Sequence, residues 1–172
     1  EQSIRGQLYG SDGLALGSDF PVNTFVLGQQ NNPSVTGLTD GGFVVSWTSR
    51  DQDGSDRGVF GQRYNASGSA VGSEIAINTG VTSQDQRDSS TASLLGGGFV
   101  VTWTDESGSD GNRHSVRGRM FDANGVEIGS EFQVNTYSSN YQSWPSVTGL
   151  TDGGFVVSWT SQGQDGSGRG IF

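Results

Sequence analysis

The stretch PSVTGLTDGGFVVSWTS occurs twice in this chain, at 33–49 and at 145–161, without a single difference. The two copies begin 112 residues apart, and a third, diverged copy, SSTASLLGGGFVVTWTD, lies midway between them at 89–105. Trp47, Trp103 and Trp159 mark the same position in the three copies, at intervals of 56 residues. A fixed period of this length is typical of solenoids, propellers and other repeat arrays, so the repeat outranks any single residue as a guide to the fold.

Two further landmarks recur with nearly the same period. GQLY, GQRY and GRMF stand at 6–9, 61–64 and 118–121, and PVNT, AINT and QVNT stand at 21–24, 76–79 and 133–136. The 172 residues are therefore predicted to form three units, at 1–56, 57–114 and 115–172. The first unit starts in its third strand and the last ends at the start of a next unit, which predicts that the chain is a piece of a longer array.

Each unit contains four strand patterns and no helical periodicity. In the unit that follows the first landmark, they are SVTGL at 34–38, FVVSWTS at 43–49, GVFGQRY at 58–64 and AVGSEIAIN at 70–78. The Asp-Gly-Gly sequence between the first two patterns is typical of a tight hairpin. The predicted fold class is all-β: tandem four-stranded antiparallel sheets of about 56 residues, arranged like the blades of a β-propeller.

Alternation within FVVSWTS places Phe43, Val45 and Trp47 on one face of the sheet. A lone four-stranded sheet cannot bury these side chains, so each sheet is predicted to pack against a neighbouring one. Three units are too few for a closed propeller. The array is therefore predicted to continue in a longer chain, to close with partner chains as a homo-oligomer, or to stack as an open filament.

Composition excludes several classes of protein. The net charge of −9 and the pI near 4.3 argue against nucleic acid as a partner, because its binding needs a basic surface. No cysteine is present, which excludes disulfides and thiolate metal sites. No segment approaches the roughly 20 apolar residues of a membrane helix, so no membrane insertion is predicted.

The loop after the second strand is the most acidic recurrent part of the unit. Calcium takes six to eight oxygen ligands, and Asp-rich loops supply them from a short turn. The candidate ligands for calcium are Asp51, Asp53, Asp56, Asp105, Glu106, Asp110 and Asp165. The alternative is that Asp, Gly and Ser form a soluble turn here, and the number of acidic residues falls from the first copy of the loop to the third.

Aromatic residues outside the repeated strands are the candidate ligand platform. The loop YSSNYQSWPS at 137–146 holds Tyr137, Tyr141 and Trp144, whereas the three repeated tryptophans are expected in the core. Aromatic rings with polar edges can stack on sugars, so these residues indicate possible carbohydrate binding. The alternative is a local cap over the next hairpin.

Enzyme chemistry finds little support in the sequence. His114 is the only histidine, and neither a serine nucleophile motif nor a zinc ligand set is present. A carboxylate pair for glycoside hydrolysis is possible, but the acidic residues recur or disappear with the repeat as turn residues do. No catalytic residue is therefore assigned, and the chain is predicted not to be an enzyme.

The motifs PSVTGLTDGGFVVSWTS, QDGSGRGIF, GQRY and VNT together resemble tandem units of very large secreted bacterial proteins, namely RTX-type, calcium-associated adhesins or surface proteins. The resemblance covers essentially all 172 residues. It implies a β-rich array, an extracellular or cell-surface location and nearby calcium. The Gly-Gly-x-Gly-x-Asp nonapeptide of RTX proteins is absent, so calcium would depend on the loop carboxylates alone.

The primary functional prediction is a non-enzymatic extracellular module of a surface adhesin or fibre, which self-associates or belongs to a longer array. One alternative is a carbohydrate-binding β-propeller lectin that uses loop aromatics. A second alternative is the remnant of a propeller-type glycosidase.

Overall fold

The fold is built entirely from antiparallel strands, as a computed structural model shows for residues 2–80 and 82–172. No described residue lies in a helix, so nothing in the described chain offers a helix that could cross a membrane. The thirteen strands are β1 (Arg5–Tyr9), β2 (Ala15–Pro21), β3 (Gln30–Gly37), β4 (Phe43–Arg50), β5 (Arg57–Tyr64), β6 (Ala70–Ala76), β7 (Gln86–Ser93), β8 (Phe99–Asp105), β9 (Ser115–Phe121), β10 (Glu127–Gln133), β11 (Gln142–Gly149), β12 (Phe155–Gln162) and β13 (Arg169–Ile171).

The described strands form four sheets. Two four-stranded sheets, β3-β4-β5-β6 and β7-β8-β9-β10, follow the chain order without crossovers. A two-stranded hairpin, β1-β2, precedes them, and a three-stranded sheet, β11-β12-β13, follows them. The predicted all-β class and the blade-like four-stranded sheets are therefore confirmed.

The turn between β3 and β4 shows why the repeated stretch needs its glycines. Gly41 has a φ of 84°, a conformation that side chains with a Cβ disfavour. Asp40 Oδ1 accepts a hydrogen bond of 2.9 Å from the Gly42 amide, which closes the turn. A Cβ on Gly42 would stand 2.3 Å from the Tyr64 carbonyl oxygen, so this position requires glycine for close approach.

The apolar core lies between consecutive sheets and not within any one of them. Fully buried Trp103 packs with side chains of its own sheet and with side chains from the sheet before it. The residues of this cluster are Leu38, Val44, Val59, Ile77, Phe99, Val101, Trp103 and Phe121. Each buried large apolar side chain stabilises the fold by roughly 1.5–3 kcal/mol, and here every such contribution needs two sheets.

The first strands of the three sheets lie next to one another. The Thr91 amide in β7 donates to Ser34 Oγ in β3 at 3.1 Å, and the Val147 amide in β11 donates to Ser90 Oγ in β7 at 3.1 Å. The two bonds join equivalent positions of successive units. This regular side-by-side arrangement brings the beginnings of β3, β7 and β11 to one edge of the array.

Candidate functional site

Each first strand carries a bulge at the same position of the unit. The pairing register shifts between Asn31 and Ser34, between Arg87 and Ser90, and between Ser143 and Ser146. The bulged residues are Asn32, Asp88 and Trp144, whose φ values are 51°, 56° and 54°. Positive φ is unusual for a residue as bulky as tryptophan. Bulges re-aim side chains and are common beside functional sites, so three equivalent bulges here present three different chemical groups.

The first two bulged side chains line a polar cavity of about 410 Å³ between the sheets that contain β3 and β7. Asn32 Nδ2 donates a hydrogen bond of 2.7 Å to Asp88 Oδ1 across the gap. The lining residues are Asn31, Asn32, Thr48, Arg57, Asp85, Arg87, Asp88 and Glu106. Three carboxylates and two guanidinium groups therefore share one cavity.

Arg87 organises the carboxylates of this cavity. Its guanidinium pairs with Asp88 through Nη1, and its Nε donates to Glu106 Oε1 at 2.6 Å. Burial acts to lower the pKa of Arg87, but the charges of Asp88 and Glu106 outweigh it, so that pKa lies above its ordinary value. Arg57 pairs with Asp85 in the same cavity. Asp88 and Glu106 are thus held on two sides of one guanidinium.

A second cavity of about 120 Å³ adjoins the first through Arg87 and is aromatic. Trp144 is 47% exposed, and the Arg169 guanidinium carbon lies 5.2 Å from the centre of its ring. The Tyr141 and His114 rings meet edge to face, with centroids 4.5 Å apart. Both cavities have Arg87 in their linings, and the two together are named here the mouth groove.

His114 stands at the junction of the two halves of the mouth groove. Its Nε2 lies 3.6 Å from Glu106 Oε2. Burial lowers the pKa of His114; the charge of Glu106 opposes this effect, and the charges of Arg87 and Arg113 add to it. The imidazole is therefore neutral near pH 7.

The lowered pKa of His114 predicts a loss of stability in mild acid. The unfolded chain binds a proton near the ordinary value of 6.5, whereas the folded chain binds it only at lower pH. Stability rises with pH wherever the unfolded state holds more protons, so the free energy of unfolding falls as pH is lowered through this range. Urea unfolding between about pH 7 and pH 5 should show a smaller fall for His114→Gln than for the unmodified chain. An equal fall in the free energy of unfolding for the two proteins would contradict a lowered pKa of His114.

The first acidic loop is organised by its own hydrogen bonds. Asp53 Oδ1 accepts the Ser55 amide at 3.0 Å, and the Asp51 amide donates to the Asp56 carbonyl at 2.8 Å. Arg50 Nε lies 3.2 Å from Asp56 Oδ1 and 3.8 Å from Asp51 Oδ2. Within residues 2–80 and 82–172, no three His, Cys, Asp or Glu side chains come together as a metal site.

The carboxylates of the other two acidic loops have different surroundings. Asp105 is fully buried and accepts hydrogen bonds from Ser107 at 2.9 Å and from Ser109 at 2.7 Å, so it shapes the loop. Asp110 and Asp165 accept the amides of Asn112 at 3.0 Å and Ser167 at 3.1 Å. Of the seven acidic candidates, Glu106 lies in the polar cavity.

The predicted aromatic platform is brought together in part. Tyr141 and Trp144 line the same cavity. Tyr137 lies outside that lining and donates from its hydroxyl to the Gly163 carbonyl at 3.4 Å. Asp85, Arg87 and Asp88 were missed by the sequence analysis. A sequence signal that could have found them is the alignment of the three units, in which Asp88 stands at the position of Asn32 and Trp144.

Comparison with known proteins supplies a fold and no family. No protein family model and no curated protein sequence matches the chain. A solved endo-arabinase from Bacteroides thetaiotaomicron is similar in structure, with a TM-score of 0.56 and 12% identity over 89% of this chain and 60% of the enzyme. A thermostable family-43 glycoside hydrolase gives a TM-score of 0.51 and 11% identity over 96% of this chain and 64% of the enzyme. The chain spans less than two thirds of either neighbour, and at this identity the likeness establishes a propeller-like fold.

These neighbours correct two predictions. The interpretation as a non-enzymatic adhesive module and the prediction that the chain is not an enzyme are both contradicted, because both similar structures are glycoside hydrolases. The prediction was wrong because it took the acidic residues for turn residues that recur or disappear with the repeat. Asp85, Asp88 and Glu106 do not recur, because the other units hold different side chains at these positions. The three carboxylates nevertheless line one cavity.

Proposed function

We propose that this chain forms part of a propeller-type glycoside hydrolase whose substrate lies in the mouth groove. The observation that carries the proposal is the row of bulges. A purely structural array would repeat the same group at this position, whereas these units present an amide, a carboxylate and an indole side by side. Glycoside hydrolysis uses a pair of carboxyl groups, and an exposed aromatic ring offers a flat apolar face to a sugar.

Asp88 and Glu106 are the proposed catalytic pair. Both contact Arg87, so little more than one guanidinium separates them. That spacing is compatible with the carboxyl separations of glycosidases, roughly 5 to 9.5 Å. In such a reaction, one carboxyl group protonates the glycosidic oxygen and the other activates water or attacks the sugar. Arg87 holds the two carboxyl groups on either side of the position that the glycosidic bond would occupy.

The aromatic half of the groove is the proposed sugar-binding part. Trp144 and Tyr141 offer flat apolar faces, and the neighbouring Ser143 and Arg169 offer hydrogen-bonding groups. The polar cavity holds three carboxylates against two guanidinium groups, in a chain of net charge −9. A neutral polysaccharide fits this charge better than an acidic one.

Carbohydrate binding without hydrolysis is the second candidate. The observation that favours it is that Asp85, Asp88 and Glu106 all pair with an arginine. Carboxylates that pair with arginines can accept hydrogen bonds from sugar hydroxyls without any part in bond cleavage. The same groove would serve both functions, and the test separates them.

Linear arabinan is the first substrate to test, because one structural neighbour is an endo-arabinase. We expect new reducing ends from arabinan, and we expect Trp144→Ala to lose both hydrolysis and retention in an arabinan affinity gel. Tyr137→Ala is the matched control, since Tyr137 does not line the cavity. Retention without new reducing ends would support the second candidate. No retention on arabinan or on a panel of neutral polysaccharides would refute both.

An extracellular location and bound calcium stay predictions from the resemblance to secreted repeat proteins. Calcium that binds only the folded chain must raise its melting temperature. We expect EDTA to lower the melting temperature if the loop at 51–56 holds the ion. An unchanged melting temperature would contradict calcium binding to the folded chain.

A further inference from the structure

An apolar cavity of about 310 Å³ lies at the first end of the array, between the β1–β2 hairpin and the sheet that contains β3 and β4. Its apolar walls include Phe20, Val22, Val35, Phe43 and Val45. Val35 is 65% exposed there, whereas Val147, at the same position of the third unit, is 9% exposed. The cavity therefore leaves apolar side chains uncovered, whereas Val147, the equivalent of Val35 in the third unit, is packed.

The opposite end of the array exposes an apolar face on β12 and on the residue that follows β11; it is named here the β11–β12 face. Leu150 is 44% and Val156 is 51% exposed. Leu38 and Val44 stand at the same positions of the earlier copy, and they are 7% and 0% exposed. Identical residues in an identical stretch are thus buried in one copy and exposed in the other.

The packing between the two complete sheets shows what would cover that face. Leu38 and Val44 pack against Phe99 and Val101. In the apolar cavity, Phe43 and Val45 stand at the positions of Phe99 and Val101. The cavity therefore has the receiving side of this packing, and the β11–β12 face has the inserting side.

The hairpin completes the match between the cavity and the internal core. Ile4 and Val22 pack against Val45 and Trp47, as Val59 and Ile77 pack against Val101 and Trp103 in the next sheet. All components of the internal core except the counterparts of Leu38 and Val44 are thus present at the cavity. Leu150 and Val156 supply those two side chains.

Backbone groups agree with the apolar match. The Thr91 amide donates to Ser34 Oγ, and the Val147 amide donates to Ser90 Oγ, each at 3.1 Å. The next members of this series are the Val35 amide and Ser146 Oγ, and both residues are exposed in the present chain. β5 pairs with β4 from Phe43 to Arg50, whereas β13 pairs with β12 over Thr160–Gln162, so no described strand pairs with Phe155–Ser158 on that side.

We propose that the β11–β12 face of one molecule docks into the apolar cavity of a second copy of this chain, and reproduces the packing seen between its own sheets. The inserting side chains are Leu150 and Val156, and Ser146 Oγ accepts from the Val35 amide of the other copy. The contact is head-to-tail, so it closes into a ring or extends as a filament. Ile4 of one molecule and Ile171 of the other hold the same position of the unit. In the complex only one of these two side chains can occupy that position, so the segment that carries the other one moves aside.

Sedimentation velocity of the 172-residue chain over a range of concentrations tests the proposal. We expect association that rises with concentration and is lost in Val156→Asp and in Val35→Asp. Val126→Asp is the matched control, because Val126 is 60% exposed in the turn before β10 and lies outside both faces. At concentrations where the unmodified chain is monomeric, the melting curves of the three variants should resemble its own, since all three positions are exposed.

Mixing the two disrupted variants tests the head-to-tail geometry. Val156→Asp keeps the cavity and Val35→Asp keeps the inserting face, so an equimolar mixture should form a one-to-one complex and nothing larger. A chain that stays monomeric at every concentration overturns the proposal. So does association that survives Val156→Asp, or a pair of variants that does not combine.

Discussion

Replacing Trp103 by alanine is expected to lower the free energy of unfolding by about 3–5 kcal/mol, the usual loss for a large aromatic side chain in a core. Trp103 is fully buried, and it packs with Phe121 in its own sheet and with Val44 of the preceding sheet. Its removal leaves a cavity in the packing that joins two sheets. Because neither sheet has a separate core, the substitution weakens the whole array.

Urea unfolding followed by tryptophan fluorescence and by circular dichroism measures this effect. Trp144→Ala is the matched control, because it makes the same chemical change at a side chain that is 47% exposed. The control should lose no more than about 1 kcal/mol, the scale of its contact with Arg169. Similar losses in the two variants would show that the packing between sheets does not carry the stability.

Replacing Glu106 by glutamine is expected to reduce hydrolysis of the polysaccharide substrate by about 10²- to 10⁴-fold, the usual contribution of a positioned acid or base. Glutamine keeps the size of the side chain but can neither hold an exchangeable carboxyl proton nor act as a nucleophile. This expectation depends on the proposed function, because Glu106 is one member of its carboxylate pair with Asp88. The same loss is expected for Asp88→Asn.

Glu127→Gln is the matched control for the second experiment. Glu127 also pairs with an arginine, Arg119, but it lies outside the mouth groove. Retention on the substrate should survive in Glu106→Gln, which separates a chemical role from a loss of binding. A hydrolytic rate that falls equally in Glu106→Gln and Glu127→Gln would indicate a general structural effect and would reject the assignment.

The repeat made most of the fold predictable from the sequence. Alternation in FVVSWTS placed Phe43, Val45 and Trp47 on one face, and the Asp-Gly-Gly turn predicted the hairpin that β3 and β4 form. These are local patterns, and local patterns describe strands and turns well. The packing of sheet on sheet also followed, because no single sheet can bury its own apolar face.

The mouth groove was predictable only in part. Trp144 and Tyr141 drew attention because they stand in a stretch that differs between units, although Trp144 lies at the bulge of β11 and not in the predicted loop. Asp85, Arg87 and Asp88 did not, since each alone reads as an ordinary polar residue near a strand start. Their meeting with Glu106 depends on a bulge in β7 and on two neighbouring sheets, neither of which a linear pattern describes.

The two identical 17-residue stretches show most directly where local pattern ends and packing begins. Both form the same pair of strands, because turn chemistry and alternation are properties of the residues themselves. Yet Val44 is buried while Val156 is exposed, and Val35 is exposed while Val147 is buried. Burial is a relation between a side chain and the sheet opposite it, so the same letters acquire different surroundings, and different energies, at the two ends of the array.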